Sequence, residues 1–195
     1  MRGGRAFAGL AGVVCVLAGA APASADPVAD ASFEVMSQVC LATHAERAAA
    51  LAAAQSVGLV LPAPNGAADI LARLQLDDTE TRGKLVGDKV MMLIVGHKDT
   101  TLAGQPVVEN LCAIATAAPD DAADTAFRDW IGTLPASDHG GNPFFVFTGA
   151  PTQRQSAAAD SEADAAAAIH HGDMQTAAIL HLQDSTVLVY GRFAP

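Results

Sequence analysis

The stretch "VMMLIVGHKDTTLAGQPVVENLCAIAT", Val90 to Thr116, decides the fold. Its first six residues form an unbroken apolar run, which suits a strand covered on both faces. Val107–Thr116 reads as a second strand and carries Cys112. The segment between them, His97 to Gln105, is polar and holds Gly104, so the two strands should form a long hairpin joined there. His97, beside Lys98 and Asp99, is then a polar hairpin end.

On the C-terminal side, Pro119 suits the first position of a helix, and Asp120, Asp121 and Asp124 suit its N-terminal dipole. Ala123, Phe127, Trp130 and Ile131 make its inward stripe, with Gly132 as the stop. Phe144–Thr148 reads as a strand, and Thr152–Asp160 as a small-residue polar connection. Ser161, three residues before Asp164, opens a helix through about His170 that Gly172 ends. Met174–Leu182 and Thr186–Phe193 form a terminal hairpin. With Asp184-Ser185 at its turn, Leu182 faces Val187 and Leu180 faces Val189. One face then carries Ala178, Leu180, Leu182, Val187 and Val189, and the other Ile179, His181, Leu188, Tyr190 and Arg192.

On the N-terminal side, Phe33, Met36, Val39 and Cys40 recur at helical spacing, predicting a helix from about Ala31 to Ala42. Thr43 stands three residues before Glu46, a capping-box pattern opening a helix from His44 to about Val57. Pro62, Pro64, Asn65 and Gly66 mark a loop. Ile70, Leu71 and Leu74 suggest a short helix over Ala67–Leu74, and Asp77–Lys84 reads as an exposed connection. Helices followed by β-β-α-β-α-β-β, with hairpin connections, predict an α+β fold: a largely antiparallel sheet of about five strands with helices packed mainly on one side.

Residues 1–25 have the form of a signal peptide. Arg2 and Arg5 precede an apolar run, and Ala23-Ser24-Ala25 has the small-x-small form of a cleavage site. The run is shorter than the ~20 residues of a membrane span, and Gly12-Val13-Val14 before Cys15 is no lipobox. Residues 26–195 should then form a single globular domain in the periplasm or outside the cell, with no membrane span once the leader is removed. The 195-residue chain carries 11 basic and 21 acidic residues, a formal net charge of −10 that grows more negative when the leader's arginines leave. That balance repels nucleic acid and anionic membranes. Cleavage leaves two cysteines, Cys40 and Cys112. In an oxidising compartment a lone pair is expected to join; a catalytic thiol or two buried free thiols are the alternatives.

"IHHGDMQTAAILHL", Ile169 to Leu182, gathers His170, His171, Asp173 and His181 and raises the question of a metal. Eight strand steps from Asp173 to His181 span roughly 26 Å, too far for one ion. Adjacent residues His170 and His171 point about 100° apart on a helix, and H-E-x-x-H is absent. No metal site is expected from them; a helix C-terminus suits His170 and His171. Nucleotide-binding, nucleophile-elbow and S-x-x-K motifs are also absent, and no cofactor is expected. The loop "SDHGGN", Ser137–Asn142, is the remaining candidate, with Asp138, His139 and Asn142 as binding groups on a glycine-rich connection. Neighbouring residues rarely assemble a triad, and Asp138 and Asn142 bonding local backbone is the simpler account.

A leader followed by "FEVMSQVCLATHAERAAALAAAQSVG" and "VVENLCAIAT" resembles small exported proteins of unknown function from Gram-negative bacteria, which carry an early helical cysteine and a central-strand cysteine. The resemblance covers about a third of the chain. It implies export and the Cys40–Cys112 disulfide and brings no activity. Two function classes remain: a non-enzymatic binding module for a protein, peptide or small ligand, and a small hydrolase assembled around the Ser137–Asn142 loop.

Overall fold

A computed structural model of the chain describes residues 27–62, 67–102, 105–117, 119–157 and 161–194. The leader, Cys15, the loop residues Pro64, Asn65 and Gly66, and Gly104 lie outside the described residues. The architecture is α+β. Five α-helices, α1 (Pro27–Met36), α2 (Arg47–Ser56), α3 (Ala67–Leu74), α4 (Asp121–Ile131) and α5 (Glu162–His170), accompany eight strands. The strands are β1 (Asp77–Val86), β2 (Lys89–Leu102), β3 (Gln105–Thr116), β4 (Ser137–Asp138), β5 (Pro143–Thr148), β6 (Gln155–Ser156), β7 (Gln175–Leu182) and β8 (Ser185–Ala194). They form one antiparallel sheet in the order β1-β2-β3-β8-β7-β5-β4, with β6 also paired to β5.

The sheet exceeds the expected five strands chiefly because Asp77–Lys84 is not a connection. It is most of β1, paired with β2 along Glu80–Val86. An edge strand needs little apolar residue and favours charge, which discourages pairing with other chains, so its composition is that of a loop. His97–Leu102 likewise belongs to strand β2: His97 sits between Asp77 of β1 and Asn110 of β3, not at a hairpin end.

Alternation along each strand divides the interior in two. Met91, Leu93, Val95, Cys112, Ile114, Phe145, Phe147, Ala177, Ile179, Leu188 and Tyr190 face α1, α2 and α4. Met92, Ile94, Leu111, Ala113, Ala115, Val187 and Val189 face α3. Phe193, Val107 and Val146 lie on that second side and pack with Ile169 and Ala165 of α5. Helices therefore cover both faces, α1, α2 and α4 on one and α3 and α5 on the other, where they were expected mainly on one; the continuous Val90–Val95 run suits a sheet covered on both. In the terminal hairpin Leu182 pairs with Ser185 and Leu180 with Val187, so the turn is Gln183-Asp184. The register differs from expectation by two residues, and because the side-chain period is also two, each residue keeps its face.

Local chemistry sets the helix ends. α1 continues into a single π-helical turn, Ser37–Leu41, where Ala42 N–H reaches Ser37 O. Thr43 does not cap the next helix; its hydroxyl donates back to Val39 O. His44 and Ala45 take positive φ, so α2 starts only at Arg47. Its cap is Glu46, whose carboxylate accepts from Ala48 and Ala49 N–H. Pro119 precedes the α4 cap rather than opening the helix. The cap is buried Asp120, which accepts from Ala123 N–H and from the Ser32 hydroxyl of α1. Ser161 caps α5 through Asp164 N–H, as expected.

Cys40, in the π turn, is bonded to Cys112 in β3, with Cα atoms 5.4 Å apart and both residues fully buried. Beside this staple the core is aromatic. Trp130 stacks on Phe127 at 5.7 Å and meets Phe147 and Tyr190 edge-on at 6.2 and 5.8 Å. The Arg154 guanidinium lies 3.5 Å over the Trp130 ring and donates to Trp130 O. Burial there lowers its pKa to about 10.

Candidate functional site

α3 places Ala67, Ile70, Leu71 and Leu74 on one side at helical spacing, and that side lies on Met92, Ile94 and the neighbouring sheet residues. At eight residues it is too short to cover this face, and two clefts adjoin it. One, of about 860 Å³, has Ile70, Met92, Ala115 and Leu182 as apolar lining and Asp69, Asp184 and Ser185 among its polar groups. The other, of about 710 Å³, runs between α3 and the Ser137–Asn142 loop, with Phe144, Ala178, Leu180 and Leu182 as its apolar lining. Ala72, Arg73 and Leu182 line both. Arg73 is exposed, and no carboxylate among the described residues forms an ion pair with it. Volumes near 300–1,000 Å³ with an apolar lining and few polar groups are typical of small-ligand sites.

The loop supplies three of its residues to the second cleft: Ser137, His139 and Asn142. Gly140 and Gly141 take φ of +66° and +86°, allowing the chain to double back between β4 and β5. Asp138 accepts from Gly141 N–H at 2.8 Å, and the Asn142 amide donates to His139 O at 3.1 Å. The other end of that amide, Oδ1, accepts from His181 N–H at 2.7 Å. β5 stops pairing with β7 at Ala178, so Asn142 supplies an acceptor to the next stretch of β7. The side chains of Asp138 and Asn142 therefore hold the turn together. Those of Ser137 and His139 hydrogen-bond neither to each other nor to Asp138 among the described residues, and no nucleophile–base pair is formed.

The other sequence candidates lie apart. His170 is the last residue of α5 and His171 its C-cap, both exposed. His181 projects to the opposite face of the sheet from the clefts and meets Asp124 of α4 at 3.0 Å. Among the described residues no grouping of three metal-competent side chains includes any of these histidines; the one that exists joins Asp77, His97 and Asp99. The two cysteines are bonded to each other, so neither is a nucleophile in this state.

Sequence reasoning found the loop but not the clefts. α3 was legible as a helix, yet a cleft is defined by the sheet area a helix leaves bare, which depends on strand order. On the same face Glu109 is half-buried above Gly191, where any Cβ would run into Thr176 and Glu109 themselves. Thr176 donates to its carboxylate, but burial is the larger influence and raises its pKa. Glu109 lines neither cleft.

Compared with protein-family models, curated proteins and solved structures, the chain matches none.

Proposed function

We propose that this protein is an exported, non-enzymatic binding module, and that its ligand is a small molecule or peptide end with an apolar body and an anionic group. The observation that carries the reading is the pair of clefts sharing Arg73. The apolar lining accepts the body, and Arg73, a cation without an ion-pair partner among the described residues of a strongly acidic chain, receives the anion. His139 and Ser137 offer further polar contacts at the rim of the smaller cleft. Export is supported by the leader-like N-terminus and by the Cys40–Cys112 bond, which suits an oxidising compartment; none of the described helices is long and apolar enough to cross a membrane. The hydrolase reading draws no support from the loop, whose only carboxylate is engaged by the turn.

Decanoate and decanol, identical but for the charge, serve as probes in an amide-resolved NMR titration of the purified protein. Decanoate should shift residues of α3, 137–142 and 180–185, with decanol weaker by about tenfold, the order of one charge-assisted hydrogen bond. Arg73→Gln should abolish the difference between the two. Absence of saturable shifts, or shifts mapping to another surface, would overturn the assignment.

A further inference from the structure

A second site lies on the opposite face of the sheet, beyond the end of the disulfide core. His97 and Asp99 follow Met91, Leu93 and Val95 along β2 in steps of two, and so project from the disulfide-bearing face. Asp77 of β1 stands directly opposite His97. It is brought close by a bare spot: a Cβ on Gly96 would lie 2.9 Å from Asp77 O and 3.1 Å from the Leu76 side chain. The potential ligand atoms of Asp77, His97 and Asp99 all lie within 4.8 Å of one another.

Unlike their neighbours, these side chains have no Lys or Arg paired with them among the described residues. On β1, Asp78 is paired with Arg47, and Glu80 with Arg47 and Arg82. Among the described residues the side chains of Asp77, His97 and Asp99 make no hydrogen bond or ion pair. Lys98 cannot serve, since its position between His97 and Asp99 directs it to the other face. Two carboxylates and an imidazole thus converge within 4.8 Å.

We propose that Asp77, His97 and Asp99 bind a divalent transition-metal ion, with zinc as the probe ion. The donor set is one imidazole nitrogen and two carboxylate oxygens, with bonds of about 2.0–2.2 Å. Tetrahedral ligands with bonds of that length stand roughly 3.4 Å apart, so the exposed carboxylates must rotate inward by about 1 Å or more to close on an ion from the widest observed spacing, 4.8 Å. The imidazole favours zinc, copper or nickel over calcium and magnesium, which take oxygen shells. Both aspartates are exposed, leaving the remaining positions to water.

Isothermal titration of untagged, purified protein with zinc chloride tests the assignment. One equivalent should bind, and a matching concentration of calcium should not displace it. Asp99→Asn and His97→Ala should each weaken binding by about tenfold or more, whereas His170→Ala/His171→Ala should leave it unchanged. Asp99→Asn is a near-isosteric surface change and carries the test if His97→Ala fails to fold. The proposal is overturned if the folded wild-type protein shows no saturable binding, if calcium displaces zinc, if the Asp99 variant retains wild-type affinity, or if binding is lost with His170 and His171.

Discussion

The two faces of the sheet are built on different terms. The disulfide face is closed: α1, the π turn, α2 and α4 cover it, Phe127, Phe145 and Phe147 are fully buried, and a covalent bond ties a helical turn to a central strand. The other face is shared by α3 and α5, which pack in separate clusters, and clefts adjoin α3. Each face is made of alternate residues of the same strands, so stability and access are separated within single strands. Met91 and Leu93 belong to the closed side, and Met92, between them, lines the larger cleft.

The comparison is most open to attack at the disulfide. A bond across a sequence separation of 72 restricts the unfolded chain by roughly 4 kcal/mol in the chain-entropy model, before any loss to residual structure. Urea unfolding of Cys40→Ala/Cys112→Ala, or of the reduced protein, should show a loss of that order. An unchanged midpoint would mean that the closed face does not need its staple. Next comes core truncation. Phe127→Ala should lower stability by about 3 kcal/mol, and Ile70→Ala on the cleft side by about 2 kcal/mol or less, because water can reach the space left beside α3. Equal losses in chemical denaturation would remove the distinction between the faces.

Smaller still is the cap of α4. Asp120→Ala removes the acceptor for Ala123 N–H and Ser32. It should reduce stability by about 1–2 kcal/mol, and Asp120→Asn should recover part of the loss.

The weakest expected effect sharpens the description of the cleft face. The folded state raises the Glu109 pKa, so ionisation opposes folding. Stability contributed by the protonated acid is present below the unfolded pKa and declines as pH rises from there to the folded pKa. Thr176 and Lys98 act against burial without cancelling it. Glu109→Gln should therefore melt slightly higher than the wild type at neutral pH, with the gap closing as pH falls through the carboxyl range. A variant less stable than the wild type at neutral pH would mean that the Thr176 and Lys98 contacts outweigh burial.

What could be read in the sequence was the periodicity. Ala178, Leu180, Leu182, Val187 and Val189 share a face in the structure as expected, although the turn sits elsewhere, because parity survives an even register shift. The two cysteines were legible as a pair because few others were available. β1 was hidden because it is placed by its pairing with β2 and its charged side chains carry no apolar alternation. The same concealment hid the convergence at Asp77: His97 and Asp99 stand two apart in plain view, but the third ligand arrives only through the register of a strand that reads as a loop. Asp138 and Asn142 were correctly read as turn-formers. The clefts beside them depend on how much sheet α3 leaves uncovered.

Trp130 is the chain's sole tryptophan and Tyr190 its sole tyrosine, and the two meet edge-on beside Phe127 and Phe147, with Arg154 over the indole. The near-ultraviolet absorption and intrinsic emission of this protein therefore come almost entirely from one side of its sheet. Light reports the disulfide face. A detachment of α3, or a ligand settling beside it, would pass with little optical signal, so an unfolding curve followed by fluorescence records the side of the sheet away from the clefts.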